Sequence, residues 1–79
     1  MEKQLTLKDK LFKIKKNIIG EQDIEYYDTL IEMWEERKEL ENDPVFATLD
    51  EPTKDLYIRY MIAQLRLRRK RLIKKLKIA

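Results

Sequence analysis

Apolar residues recur at helical spacing along nearly the whole chain. Leu7, Leu11, Ile14 and Ile18 follow i, i+4, i+7, i+11, and Phe12 and Ile19 widen that stripe. Thr6 followed by Asp9 forms a capping-box-like start, with Asp standing in for the usual Glu, and Gly20 offers a left-handed stop. A first helix over about residues 7–19 is predicted. A second, over about 24–41, follows Asp23 as N-cap. Ile24, Tyr27, Leu30, Ile31 and Trp34 share one side of it, extended by Tyr26, Met33 and Leu40. Trp34 is the natural centre of a core, being the largest apolar side chain. Glu25, Asp28, Glu32, Glu35, Glu36 and Glu39 occupy the opposite, acidic side.

The segment NDPVFATLDEPTKD breaks the pattern. Asn42 or Asp43 can cap a short turn over about 44–49 that begins at Pro44, the residue preferred in a first helical turn. Val45, Phe46 and Leu49 are expected to fold onto the core. Asp50 and Pro52 restart the chain in the same way, and a last helix is predicted over about 51–77, roughly 40 Å long.

That last helix carries two patterns. Arg66, Lys70, Lys74 and Lys77 fall within about 60° of Arg59 on a helical wheel. Ile58, Met61, Ile62, Leu65, Leu72 and Leu76 make a separate apolar face, interrupted by Arg69. Up to Leu67, a second apolar side of Leu56, Tyr60, Ala63 and Leu67 reads as a segment buried in the domain. Beyond it only a narrow strip of Leu72, Ile73 and Leu76 remains, flanked by Arg68, Arg71 and Lys75. A basic amphipathic arm over residues 66–79, projecting from the core, is therefore expected.

Composition supports the helical reading. One Gly and two Pro leave little turn chemistry for hairpins. The fold class expected is all-α: a single domain built as a small bundle of three to four helices with a long, basic C-terminal helix. Its expected core is Leu11, Ile14, Ile18, Tyr27, Leu30, Ile31, Trp34, Phe46, Leu49, Ile58, Met61, Ile62 and Leu65. At 79 residues with 42% charged side chains, that core is small for the surface it must support.

The formal net charge of +3 hides a strong division. Residues 1–20 carry six Lys against two acids, residues 21–55 thirteen acids against three bases, and residues 56–79 nine bases with no acid. Eight of those bases lie between Arg66 and Lys77. A cationic run without acid is the electrostatic footprint of phosphate contact.

Catalytic chemistry finds no foothold. With no His and no Cys, the commonest general base and the best nucleophile are missing, and Gly20 alone makes no phosphate loop. Pairs such as Glu32/Glu36 and Glu35/Glu39 read as solvated helix-surface carboxylates, not as metal ligands. The three aromatics of EYYDTLIEMWEER sit among acids that would repel phosphate, so core packing is expected of them.

The function expected is a non-catalytic accessory or regulatory protein without cofactor. It binds nucleic-acid phosphates, as duplex backbone contacts, through Arg59, Arg66, Arg69, Lys70, Lys74 and Lys77. The composition of LRLRRKRLIKKL suits a replication or transcription assembly and assigns no residue role. The competing expectation is a protein-interaction subunit whose arm docks by Leu72, Ile73 and Leu76 on an acidic partner or in a homodimer. A membrane-surface role is disfavoured, because the arm lacks Trp and Phe. No leader or membrane-spanning run is visible, so a cytoplasmic, intracellular location is the expectation.

Overall fold

The computed structural model describes residues 6–78. Four α-helices follow one another: α1 (Leu7–Lys15), α2 (Ile24–Glu36), the single turn α3 (Pro44–Ala47) and α4 (Glu51–Ile78). A 3₁₀ turn, Leu40–Asn42, precedes α3, and no strand occurs among the described residues. The fold is a small all-α bundle with a long C-terminal helix. At 28 residues α4 is about 42 Å long, and it sets the 43 Å long dimension of the molecule.

The capping chemistry acts locally. The Thr6 hydroxyl accepts from the Asp9 N–H at 3.2 Å, and the Asp9 carboxylate accepts from the Thr6 N–H at 3.2 Å. These two bonds satisfy two of the orphan donors at the start of α1. Of the two candidates before Pro44, Asp43 is the cap of α3, accepting from the Val45 N–H at 2.9 Å. Asp50 starts α4 by accepting from the Thr53 N–H at 3.2 Å. Asp23 holds the N-cap position of α2 in extended backbone, but its carboxylate turns back to the Gly20 N–H at 2.9 Å.

Two helices end earlier than their hydrophobic spacing predicts. α1 stops at Lys15, not near residue 19, because Asn17 takes the left-handed conformation (φ 61°) in place of Gly20. The Ile18 N–H then donates to the Lys13 carbonyl and the Asn17 N–H to the Ile14 carbonyl, the paired bonds of a Schellman motif. Leaving the helix there reverses the fates of two neighbours: Ile18, expected in the core, is 66% exposed, and Ile19 is 7% exposed. α2 stops at Glu36, not near residue 41, where Arg37 turns left-handed (φ 62°).

The strain of a non-glycine residue at Arg37 is offset by its side chain. The guanidinium lies 3.2 Å from Glu41, 3.0 Å from Glu51 and 3.6 Å from Asp55, tying the end of α2 to the start of α4. Lys54 completes this cluster. It is buried, donates to Glu41 at 3.2 Å, and stands 5.3 Å from the centre of the Phe46 ring. Hydrogen bonding from Lys54 in the first place, and its charge together with Arg37, hold the Glu41 carboxyl below its ordinary value.

α2 and α4 pack antiparallel, since Arg37 meets Glu51 at one end and Asp28 meets Arg69 at the other. Between them lies the core of Tyr27, Ile31, Trp34, Leu40, Phe46, Ile58 and Leu65. Trp34 is at its centre, edge-on to Phe46 at 6.4 Å and tilted against Tyr57 at 5.2 Å. Leu30, Leu49, Met61 and Ile62 pack around it, and Val45, expected to fold inward, is exposed. α1 lies against α2, where Lys10 pairs with Glu32 at 3.5 Å.

Candidate nucleic-acid interface

The first half of α4 has one buried side only. Leu56, Tyr60 and Leu67 are 68%, 61% and 42% exposed, and Ala63 between them is exposed too. The expectation that this second apolar side is buried is therefore corrected. These residues stand on the face of α4 opposite Ile58 and Leu65, which pack onto α2, and no described element covers them.

The second half of α4 is held closer to the domain than an arm beginning at Arg66 would be. Leu72 packs against the core cluster, and the Arg69 guanidinium Nε donates to the Asp28 carboxylate at 2.6 Å. This bond explains why a cation interrupts the apolar face at position 69. The side chain reaches across to α2 and meets the acidic side of that helix. α4 thus stays on α2 for about two further turns, and the free segment begins near Ile73.

Two grooves flank this part of α4. One, of about 390 Å³, is lined by Asp28, Ile31, Arg66, Arg69, Lys70 and Ile73. The other, of about 370 Å³, runs along Arg68, Arg71, Leu72 and Lys75 past Glu21 and Tyr27. Burial first, and then the negative charge of Glu21, push the Tyr26 hydroxyl above its ordinary value, while the positive charge of Arg68 pulls it back.

The six expected phosphate-binding residues do not form one set. Arg66, Arg69 and Lys70 converge on the first groove, with Arg69 already occupied by Asp28. Lys74 and Lys77 continue outward along the exposed side of the helix, and Arg59 stands alone nearly two turns before Arg66. Arg68, Arg71 and Lys75, noted in the sequence only as flanks, line the second groove. Among the described residues, no carboxylate lies within ion-pair distance of Arg66, Arg68, Lys70, Arg71, Lys74, Lys75 or Lys77. By contrast Lys10, Arg37, Lys54 and Arg69 are each paired within the fold.

The expected partner strip is similarly divided. Leu72 is partly buried against the core, Ile73 is half-buried beside the first groove, and Leu76 is 52% exposed. No helix among the described residues is long and apolar enough to cross a membrane. The chain matches no protein-family model, no curated protein and no solved structure.

Proposed function

We propose that this protein is a non-catalytic accessory factor that binds nucleic-acid backbone phosphates through the outer half of α4, within a replication or transcription assembly. One observation carries the reading. Lys10, Arg37, Lys54 and Arg69 each meet an acid within the fold, and the densest group of described bases that meet none is seven of the eight between Arg66 and Lys77. Surface charge kept unpaired and gathered on 12 residues has the character of a ligand site more than of a stabilising device. Arg66 to Lys77 spans about 17 Å of helix. That length matches about five phosphates of one duplex strand, at 3.4 Å each.

The test is the salt dependence of binding to a random-sequence duplex, read by fluorescence anisotropy. Four contacted phosphates give a log–log slope of about −3.6, which is roughly a 150-fold loss of affinity between 50 and 200 mM salt. The four contacts are assigned to the stripe of Arg66, Lys70, Lys74 and Lys77, so replacing the first three together by Gln should leave a slope near −0.9 and a loss of about 3.5-fold. Absence of binding at 50 mM salt, or an unchanged slope in the triple variant, would overturn the proposal.

A further inference from the structure

The seven bases of outer α4 that meet no acid stand on two flanks of the helix. At 100° per residue, Arg66, Lys70, Lys74 and Lys77 lie within about 80° of one another, and Arg68, Arg71 and Lys75 within about 60°. The centres of the two groups are about 140° apart around the helix. A duplex strand seated on the first flank therefore leaves the second facing away from it. To touch both, the helix would have to enter a groove edge-first. Leu67, on the line midway between the flanks, leads that edge and offers no donor or acceptor to a base.

The groove on the second flank also differs from the first in its charges. In the first, the Asp28 carboxylate is met by Arg69 at 2.6 Å. In the second, the α4 wall carries Arg68, Arg71 and Lys75, all exposed, and the facing wall carries Glu21. No base among the described residues lies within ion-pair distance of Glu21. Leu72 and Tyr27, the lining residues most withdrawn from solvent, form the floor.

We propose that this second groove takes an acidic amphipathic helix of another protein. Its carboxylates lie on the Arg68, Arg71 and Lys75 wall, an apolar side chain on Leu72 and Tyr27, and a base beside Glu21. Charge complementarity carries the choice of occupant. A phosphate backbone satisfies the cationic wall only, meets a fixed negative charge at Glu21, and has nothing to bury on the floor. A polypeptide supplies acid, apolar group and base in one segment. The spacing selects a helix: Arg68, Arg71 and Lys75 stand at i, i+3 and i+7, about 10.5 Å of straight wall. Acids at the same alternation of three and four on a helix lying alongside set one carboxylate opposite each base. This site stands independently of phosphate binding by the first flank, and the two can be filled at once.

The probe is a fluorescein-labelled helical peptide of about 16 residues, with three Glu at that spacing, Leu beside them and one Lys beyond the Leu. Anisotropy in 150 mM salt should give a micromolar Kd. Replacing Arg68, Arg71 and Lys75 together by Gln should weaken binding at least tenfold with unchanged circular dichroism, and the same change at Arg66, Lys70 and Lys74 by less than about twofold. Changing the peptide's Leu to Gln should weaken it about tenfold. Glu21→Lys is the sharpest arm. It makes the protein more basic, yet it should weaken the acidic peptide by opposing its Lys. Tighter binding to Glu21→Lys, or equal losses from the two triple variants, would mean general charge attraction and overturn the proposal. So would no binding at about 1 mM protein. A duplex salt slope that flattens in the Arg68, Arg71 and Lys75 variant would assign the groove to the second strand instead. A wild-type dimer in sedimentation equilibrium that this variant dissociates would assign it to a second copy, and either result overturns the proposal.

Discussion

Leu65 and Leu67 lie two positions apart on one helix, and the structure gives them opposite surroundings. Leu65 is 4% exposed and packs against α2, whereas Leu67 is 42% exposed on the outer stripe. Leu→Ala at each changes helix propensity by the same small amount, so the difference between the two variants reports packing alone. Truncating Leu65 removes a nearly complete burial and leaves a cavity, which costs about 3 kcal/mol. A domain of 79 residues has about 4–12 kcal/mol in total, so this is a large share of its stability. It corresponds to roughly 12–24 °C in Tm at this size. Leu67→Ala should cost under about 1 kcal/mol. Urea unfolding followed by the fluorescence of the buried Trp34 measures both at once. Equal costs at the two positions would refute the assignment of an inner and an outer face to α4.

Two further outcomes follow from the ion pairs. Asp28→Asn should release the Arg69 side chain into the first groove, raising duplex affinity several-fold at low salt and steepening the salt slope by about 0.9. A weaker or unchanged slope in an anisotropy titration would show that Arg69 does not reach phosphate. Glu41 and Asp50 are both held below their ordinary values of 4.5 and 3.8, Glu41 chiefly by hydrogen bonding from Lys54 and Asp50 by hydrogen bonding from Thr53. A carboxyl with a lower value folded than unfolded contributes stability that is present above its unfolded value and lost as pH falls through its folded one. The urea midpoint should therefore stay level from pH 7 to about 5 and decline below about 4.5. Glu41→Gln should lower the midpoint at pH 7 and make the acid decline shallower, and an identical decline would remove Glu41 from the account.

What was legible in the sequence and what was not divide along a physical line. Features fixed within three or four residues read correctly: the Thr6/Asp9 box, a cap before Pro44 (read as Asn42 or Asp43, and made by Asp43), and Asp50 at the start of α4. Trp34 and Phe46 read correctly as core, large aromatic surfaces whose burial is favoured, although Phe12 and Tyr60 stay exposed. Features fixed across the fold did not read. A left-handed arginine at position 37 is held by Glu51 and Asp55, which lie 14 and 18 residues further along the chain, and no local rule proposes it over a longer helix. Asn17 was a legible alternative to Gly20, since Asn is the residue other than glycine that most readily turns left-handed. Choosing Gly20 placed Ile18 inside in place of Ile19.

The candidate site shows the same limit in a more consequential form. The basic stripe was visible, but which cations are free depends on where α2 puts its acids. Arg69 is occupied because Asp28 happens to stand beneath it, while Arg68 and Arg71 gain a groove from Glu21 and Tyr27. The apolar stripe of Leu56, Tyr60, Ala63 and Leu67 was visible as well, but the expectation that the domain buries it failed. Periodicity states that a face needs cover and is silent on whether the same molecule provides it. In this chain α1 goes to α2, so α4 is left with a line of apolar residues on one side and an acidic start opposite a basic end.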